Sequence, residues 1–137
     1  MRIIYKKVCT QYNVWINSKF ISENEKLEIK KLNEERVKDS FYKYLEFGTG
    51  GMRGIMGMGT NRMNIYMIRK ATQGLSNYLI DSSGVTGKNK GVVIAYDCRI
   101  NSYEFALNSA LVLCANGIKT YLFSSLRSTP ELSFAVR

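Results

Sequence analysis

Histidine is absent from the 137-residue sequence. Its absence removes a Ser-His-Asp triad, a Cys-His pair and every imidazole-ligated metal site from the chemistry open to this chain. Cysteine is sparse. Cys9, Cys98 and Cys114 are an odd, widely separated set with no C-x-x-C pair, so neither a zinc site nor a disulfide scaffold is indicated, and a reducing cytoplasm fits best. Lys6 and Lys7 interrupt the apolar start, and no later stretch reaches the roughly 18 apolar residues of a membrane span, so neither an export signal nor an anchor is expected. Acidic residues are few: 11 stand against 20 Lys and Arg, for a net charge of +9. That excess favours anionic partners by long-range steering, whether nucleic acid, phosphorylated metabolites or acidic membranes. It forms no polybasic tail, because residues 1–45 hold ten basic and six acidic residues and the remainder ten and five. Apolar content of 45% with 12% aromatics supports a buried core and one domain's worth of globular chain.

Glycine is concentrated where it carries most information. Phe47-Gly48-Thr49-Gly50-Gly51-Met52-Arg53-Gly54 continues through Gly57, Gly59, Thr60 and Asn61 to Arg62. Glycine lets the backbone approach a ligand closely, and arginine supplies a permanently charged planar fork that matches phosphate oxygens. A phosphate-holding loop and a glycine-rich hairpin with solvated arginines are both open on these residues alone. Standard nucleotide motifs do not apply. Arg53 and Arg62 stand where the third glycine of G-x-G-x-x-G belongs, and Thr60 stands where a P-loop requires lysine.

Ile4, Val8, Tyr12, Trp15 and Ile16 share one helical face, Ser22-Glu23-Asn24-Glu25 is a capping box, and Val37, Phe41, Tyr44 and Leu45 keep helical spacing. Residues 1–45 are therefore expected to form an extension of two or three amphipathic helices with a solvated Lys/Glu face. Ile65, Ile68, Ala71, Thr72, Leu75 and Leu79 predict a helix over 63–80 packed by that stripe. Its first turn follows Arg62, so an anion site at the helix start and ordinary capping by Asn61 or Asn64 are both open.

Asp81 to Lys90 reads as a polar turn region, Gly91–Tyr96 as a buried strand, and Ile118–Phe123 as a second strand. Between them Asn101 or Ser102 can cap a helix with Leu107, Leu111 and Cys114 on one face, closed by Asn116-Gly117. This β-α-β pattern puts both strand ends on one sheet edge, carrying Asp97-Cys98-Arg99 and Ser124 to Pro130, where open α/β sheets bind ligands. Thr129 as cap and Pro130 as first helical residue would open a last helix that breaks off at Arg137. A front piece of something longer is expected.

Taken in order, Phe47 to Gly54, Gly59-Thr60-Asn61-Arg62-Met63-Asn64, Arg69-Lys70-Ala71, Tyr96-Asp97-x-Arg99-x-x-Ser102 and Ser128-Thr129-Pro130-Glu131-Leu132-Ser133-Phe134-Ala135 resemble the α-D-phosphohexomutases. The likeness is to the phosphoglucomutase and phosphomannomutase branch, and it extends from about Trp15 to the end. The resemblance implies an α/β fold with a mixed or mostly parallel sheet and flanking helices. Residues 1–45 would be an N-terminal helical extension and 46–137 an incomplete first domain, truncated before the phosphoserine loop. It implies an isomerase of carbohydrate metabolism moving phosphate between hexose positions through a phosphoserine and glucose 1,6-bisphosphate, with Mg2+ balancing charge. Arg53 would face phosphoserine and substrate, with Thr49 and Gly50 as backbone or hydroxyl contacts. Arg99 would be a second phosphate contact oriented by Asp97, and Cys98 would pack.

The family's Thr-Ala-Ser-His-Asn-Pro segment and its magnesium aspartates have no counterpart here, so no catalytic nucleophile and no metal ligands are assigned to this chain. It is expected to be inactive alone, cytoplasmic, and partnered by a phosphorylated hexose and the later domains of the same enzyme rather than by nucleic acid or membrane. Two other classes stay open: a small basic module binding phosphate or nucleic acid without catalysis, and a remnant reading frame with no stable product.

Overall fold

The computed structural model describes residues 2–137, with the side chains from Tyr5 onward. The chain runs α1 (Arg2–Ile16), α2 (Glu23–Lys30), α3 (Glu34–Phe41), β1 (Phe47–Gly48), β2 (Gly51–Met52), α4 (Ile65–Lys90), β3 (Val92–Ile94), α5 (Ser102–Ala115), β4 (Thr120–Leu122) and α6 (Thr129–Ala135). This is the expected α/β class. Residues up to Met67 form one compact unit and Ile68–Arg137 a second.

In the first unit the apolar stripe of α1 meets α3, as the spacing predicts; the side chain of Ile4 lies outside the described ones. Val8, Trp15, Ile21, Ile29, Phe41 and Met58 form the core, with Tyr12, Ile16, Val37 and Tyr66 packed against it. Burying Phe41 or Ile29 completely is worth about 1.5–3 kcal/mol each relative to exposure. Aromatic edges meet aromatic faces around Phe41, whose ring centroid lies 5.8 Å from Tyr12 and 5.7 Å from Trp15. These T-shaped contacts fix the angle between the helices. The capping box forms as read: the Glu25 carboxylate accepts the Ser22 N–H at 3.0 Å while Ser22 Oγ accepts the Glu25 N–H. That same carboxylate takes the Tyr66 hydroxyl at 2.8 Å.

Tyr44 and Leu45 do not continue α3. The Leu45 N–H donates to Thr60 O at 2.8 Å and the Thr60 hydroxyl to Lys43 O at 2.6 Å. The chain turns out of the helix to hold the glycine loop. Gly59 permits this approach: its φ is 128°, and a Cβ there would sit 2.6 Å from Ser40 O. No other residue fits.

In the second unit β3 and β4 pair in parallel, Val93 beside Tyr121, with α5 as the crossover. Both strands are shorter than the sequence reading. Helix α4 corrects the expected turn at Asp81 to Lys90, for it breaks only at Gly84 (φ 51°, ψ −135°) and resumes to Lys90. The resumed turn is anchored, since Lys88 O accepts the Lys119 N–H at 3.0 Å at the approach to β4.

The faces differ from the apolar stripes as well. Leu75 is exposed, whereas Thr72 and Ser76 are buried with their hydroxyls donated to Ile68 O and Thr72 O. Arg69 Nε donates to Asn108 Oδ1 at 2.8 Å, and Gln73 and Asn116 exchange amide bonds at 3.0 and 2.9 Å. α4 thus meets α5 through paired polar side chains. Correspondingly, α5 buries Ala106, Ala110 and Leu113, while Leu111 and Cys114 face out. Small side chains admit the neighbouring helix and strands where Leu111 would hold them apart. Asn116 and Gly117 (φ 70°) close α5 as predicted.

Candidate functional site

The glycine-rich segment forms the hairpin that its turn residues allow. β1 and β2 pair antiparallel, Phe47 opposite Met52 and Gly48 opposite Gly51, around Thr49-Gly50. Arg53 leaves β2 and folds its guanidinium back over the turn, so that a Cβ on Gly50 would lie 3.0 Å from Nη2. Thr49, Gly50 and Arg53 are all exposed. They share an open cleft of about 660 Å³ whose walls include Asp39, Lys43, Glu46, Phe47 and Arg62. Arg53 takes no hydrogen bond or ion pair among the described residues. Its fork stands free at the glycine turn.

Arg62 is differently employed. Its Nη2 pairs with the Asp39 carboxylate and its Nη1 donates to Asn61 O at 3.0 Å, tying the loop to α3. Lys43 in the same cleft lies 3.4 Å from Glu46, whose carboxylate raises the Lys43 amine above its ordinary range. Of the two openings left at the start of α4, ordinary capping is what forms. Asn64 Oδ1 accepts the Met67 N–H at 3.0 Å, while its amide nitrogen donates to Gly57 O and Gly59 O at 2.8 and 2.9 Å. One buried asparagine caps the helix and knots the glycine loop.

In the second unit the β3 and β4 ends meet as the β-α-β pattern requires. Asp97 follows β3, and its carboxylate accepts from Arg99 Nε at 2.8 Å and from the Arg99 backbone N–H at 3.1 Å. The Arg99 side-chain bond, then its backbone bond, hold the Asp97 carboxyl down at about 2. Asp97 N–H donates to Ser102 Oγ at 3.1 Å, fixing the turn into α5. The pairing of Asp97 with Arg99 is present in these contacts. Cys98, expected to pack, is exposed. It sits at the outer bend between the two paired residues.

The turn after β4 supplies what the sequence reading missed. Arg127 N–H donates to Tyr96 O at 3.0 Å, and its Nη1 donates to Ser125 Oγ and Leu126 O, both at 2.8 Å. Tyr96, Asp97, Arg99, Ser102, Arg127 and Thr129 line a small polar pocket of about 130 Å³. The only signal for Arg127 was its place on the strand-end edge. Ser128, rather than Thr129, caps α6: the Glu131 carboxylate accepts the Ser128 N–H at 2.9 Å and the hydroxyl at 3.0 Å. The shift moves Pro130 one place into the first turn, where a missing N–H still costs nothing. Those two bonds, backbone first, hold the Glu131 carboxyl below its ordinary value.

Among the described residues no three Cys, Asp or Glu side chains come together as metal ligands. The donors here do not fit a Mg2+ cage. No described helix is long and apolar enough to cross a membrane.

An unpaired arginine at a glycine hairpin in one unit, and two arginines held at the strand-end edge of a parallel pair in the other, mark the two polar clefts of an α/β protein. The description "Phosphoglucomutase/phosphomannomutase, alpha/beta/alpha domain I" matches residues 44–137. The chain belongs to this family. A phosphoglucomutase of Staphylococcus haemolyticus is 45% identical over 93 residues, covering 68% of this chain and 16% of its own length. A Staphylococcus aureus phosphoglucomutase is 44% identical over 100 residues, covering 73% and 17%. A phosphopentomutase of Pongo abelii is 36% identical over 132 residues, covering 92% of this chain and 21% of its own length. The chain therefore spans only a small part of the relatives it matches. No solved structure matches it.

Proposed function

We propose that this chain is the phosphate-gripping front part of a cytoplasmic phosphoglucomutase-type isomerase, an intramolecular phosphotransferase of carbohydrate metabolism that interconverts hexose 1-phosphate and hexose 6-phosphate. Residues 1–45 would be a helical extension and 46–137 part of domain I. The observation that carries the reading is the unpaired Arg53 guanidinium laid against Gly50 in the hairpin cleft, within the matched segment. Phosphate monoesters react very slowly unaided, so the main demand on such a site is stabilising charge on the transferring group.

In this reading Arg53 meets the phosphoryl oxygens, Thr49 and Gly50 offer hydroxyl and backbone contacts, and Arg99, held by Asp97, meets phosphate at its own loop. The phosphoserine of the phosphoprotein and the Mg2+ ligands would come from segments outside this sequence, which contains no Thr-Ala-Ser-His-Asn-Pro. Glucose 1,6-bisphosphate would be the intermediate and activator. The later domains of the same enzyme would be its partners.

Purified chain given glucose 1-phosphate and glucose 1,6-bisphosphate should form no glucose 6-phosphate, whereas a full-length enzyme carrying this domain should. Turnover by the chain alone would overturn the missing-nucleophile argument. A pentose phosphate substrate is a second reading, favoured by the phosphopentomutase match that reaches over 92% of the chain. Competing ribose 1-phosphate against glucose 1-phosphate in the full-length enzyme separates the two.

A further inference from the structure

The strand-end pocket of the second unit holds two arginines, of which only Arg99 has a role so far. Arg127 is half-buried and held in place by several contacts. Its backbone N–H is tied to Tyr96 O, its Nη1 is held by Ser125 Oγ and Leu126 O, and its guanidinium lies over the Phe123 ring at 5.6 Å. A fork stacked on an aromatic face keeps its remaining donors in one plane. Nη2 of Arg127, and both terminal nitrogens of Arg99, take no hydrogen bond among the described residues.

The carboxylates nearby are already answered. Asp97 is bonded by Arg99 and Glu131 by Ser128, while Glu131 Oε1 lies 3.5 Å from Arg127 Nε. The lining thus carries two fixed positive charges against one negative, with Ser102 and Thr129 hydroxyls beside them. Its 130 Å³ equals about four water volumes. That is room for a phosphate group.

We propose that Arg127 is a phosphate-binding residue, joining Arg99, Ser102 and Thr129 to hold one tetrahedral oxyanion at the C-terminal ends of β3 and β4. The proposal rests on Arg99 being a phosphate contact and adds the group that makes its loop a pocket.

The test titrates the full chain, labelled with 15N, with inorganic phosphate while following the side-chain Nε–Hε signals of Arg99 and Arg127. Both signals should move along one binding curve. Arg127→Met should weaken phosphate by about tenfold or more, the loss of one charge-assisted bond, and Arg127→Lys should recover part of it. The backbone amide spectrum shows whether each variant is folded; if the methionine variant is not, the lysine variant must still bind more weakly than the parent. Movement of Arg99 alone, with Arg127 variants binding unchanged, would overturn the proposal and leave the Arg99 reading standing. Absence of any shift would overturn both.

Discussion

Two guanidinium groups of the first unit show why residue type alone does not assign a role. Arg53 and Arg62 both flank the glycine loop, yet Arg62 is taken by Asp39 and Asn61 while Arg53 stands unpaired over Gly50. In a full-length enzyme Arg53→Ala should therefore lower turnover by about ten- to a hundredfold, the value of a charge-assisted bond made to the transferring phosphate. Steady-state assay with unchanged turnover and unchanged bisphosphate affinity would dismiss the assignment.

Asp97 makes a prediction in pH. Its carboxyl falls from 3.8 to about 2 because the folded state stabilises the carboxylate, so the contribution is present above the unfolded value and lost as pH drops through the folded one. NMR titration should place the Asp97 midpoint near 2. Arg99→Ala should return the midpoint toward 3.8. Asn101 was legible as a cap candidate but not as a left-handed residue (φ 62°) whose side chain makes no cap bond. Asn101→Val should cost about 1–2 kcal/mol in chemical unfolding, since a branched Cβ meets the following carbonyl there, and Asn101→Gly should be close to neutral.

Helices with local signals were readable along the chain. The Ser22–Glu25 box, the α1 stripe and the Asn116-Gly117 stop act within a few residues, and each forms as expected. The misreadings share a different origin. α4 continues past Asp81 because Lys88 O finds Lys119, distant in sequence, and α3 stops early because Lys43 and Leu45 bond Thr60. Leu75 and Leu111 obey the period of a buried stripe but face outward, as the small residues beside them let α4, α5 and the strands come close.

Asn64 is the central tie of the glycine loop. Asn64→Ala should cost about 1–2 kcal/mol, the upper range for a lost N-cap, because the half-buried Gly57 carbonyl and the buried Gly59 carbonyl also lose their donor. A thermal melt unchanged from the parent would contradict this. Gly59→Ala should unfold the first unit more readily still, given the 2.6 Å approach to Ser40 O.

For the protein taken entire, the net charge of +9 admitted a nucleic-acid module as readily as an enzyme fragment. The proposed function turns that charge toward phosphorylated sugars. Oligonucleotide titration at physiological salt should accordingly show little binding, without the steep salt slope of a protein that neutralises many phosphates. Tight, salt-steep binding would favour the module.

The order of motifs from Phe47 to Ala135 was enough to indicate family and α/β class, because backbone turns, caps and alternating strands are written in neighbouring residues. Spacing could not say which arginines would be free. Whether a guanidinium is consumed by Asp39, bent back over Gly50, clamped by Asp97 or laid on Phe123 depends on partners brought close only when the chain folds, and the strand-end pocket around Arg127 exists for that reason alone.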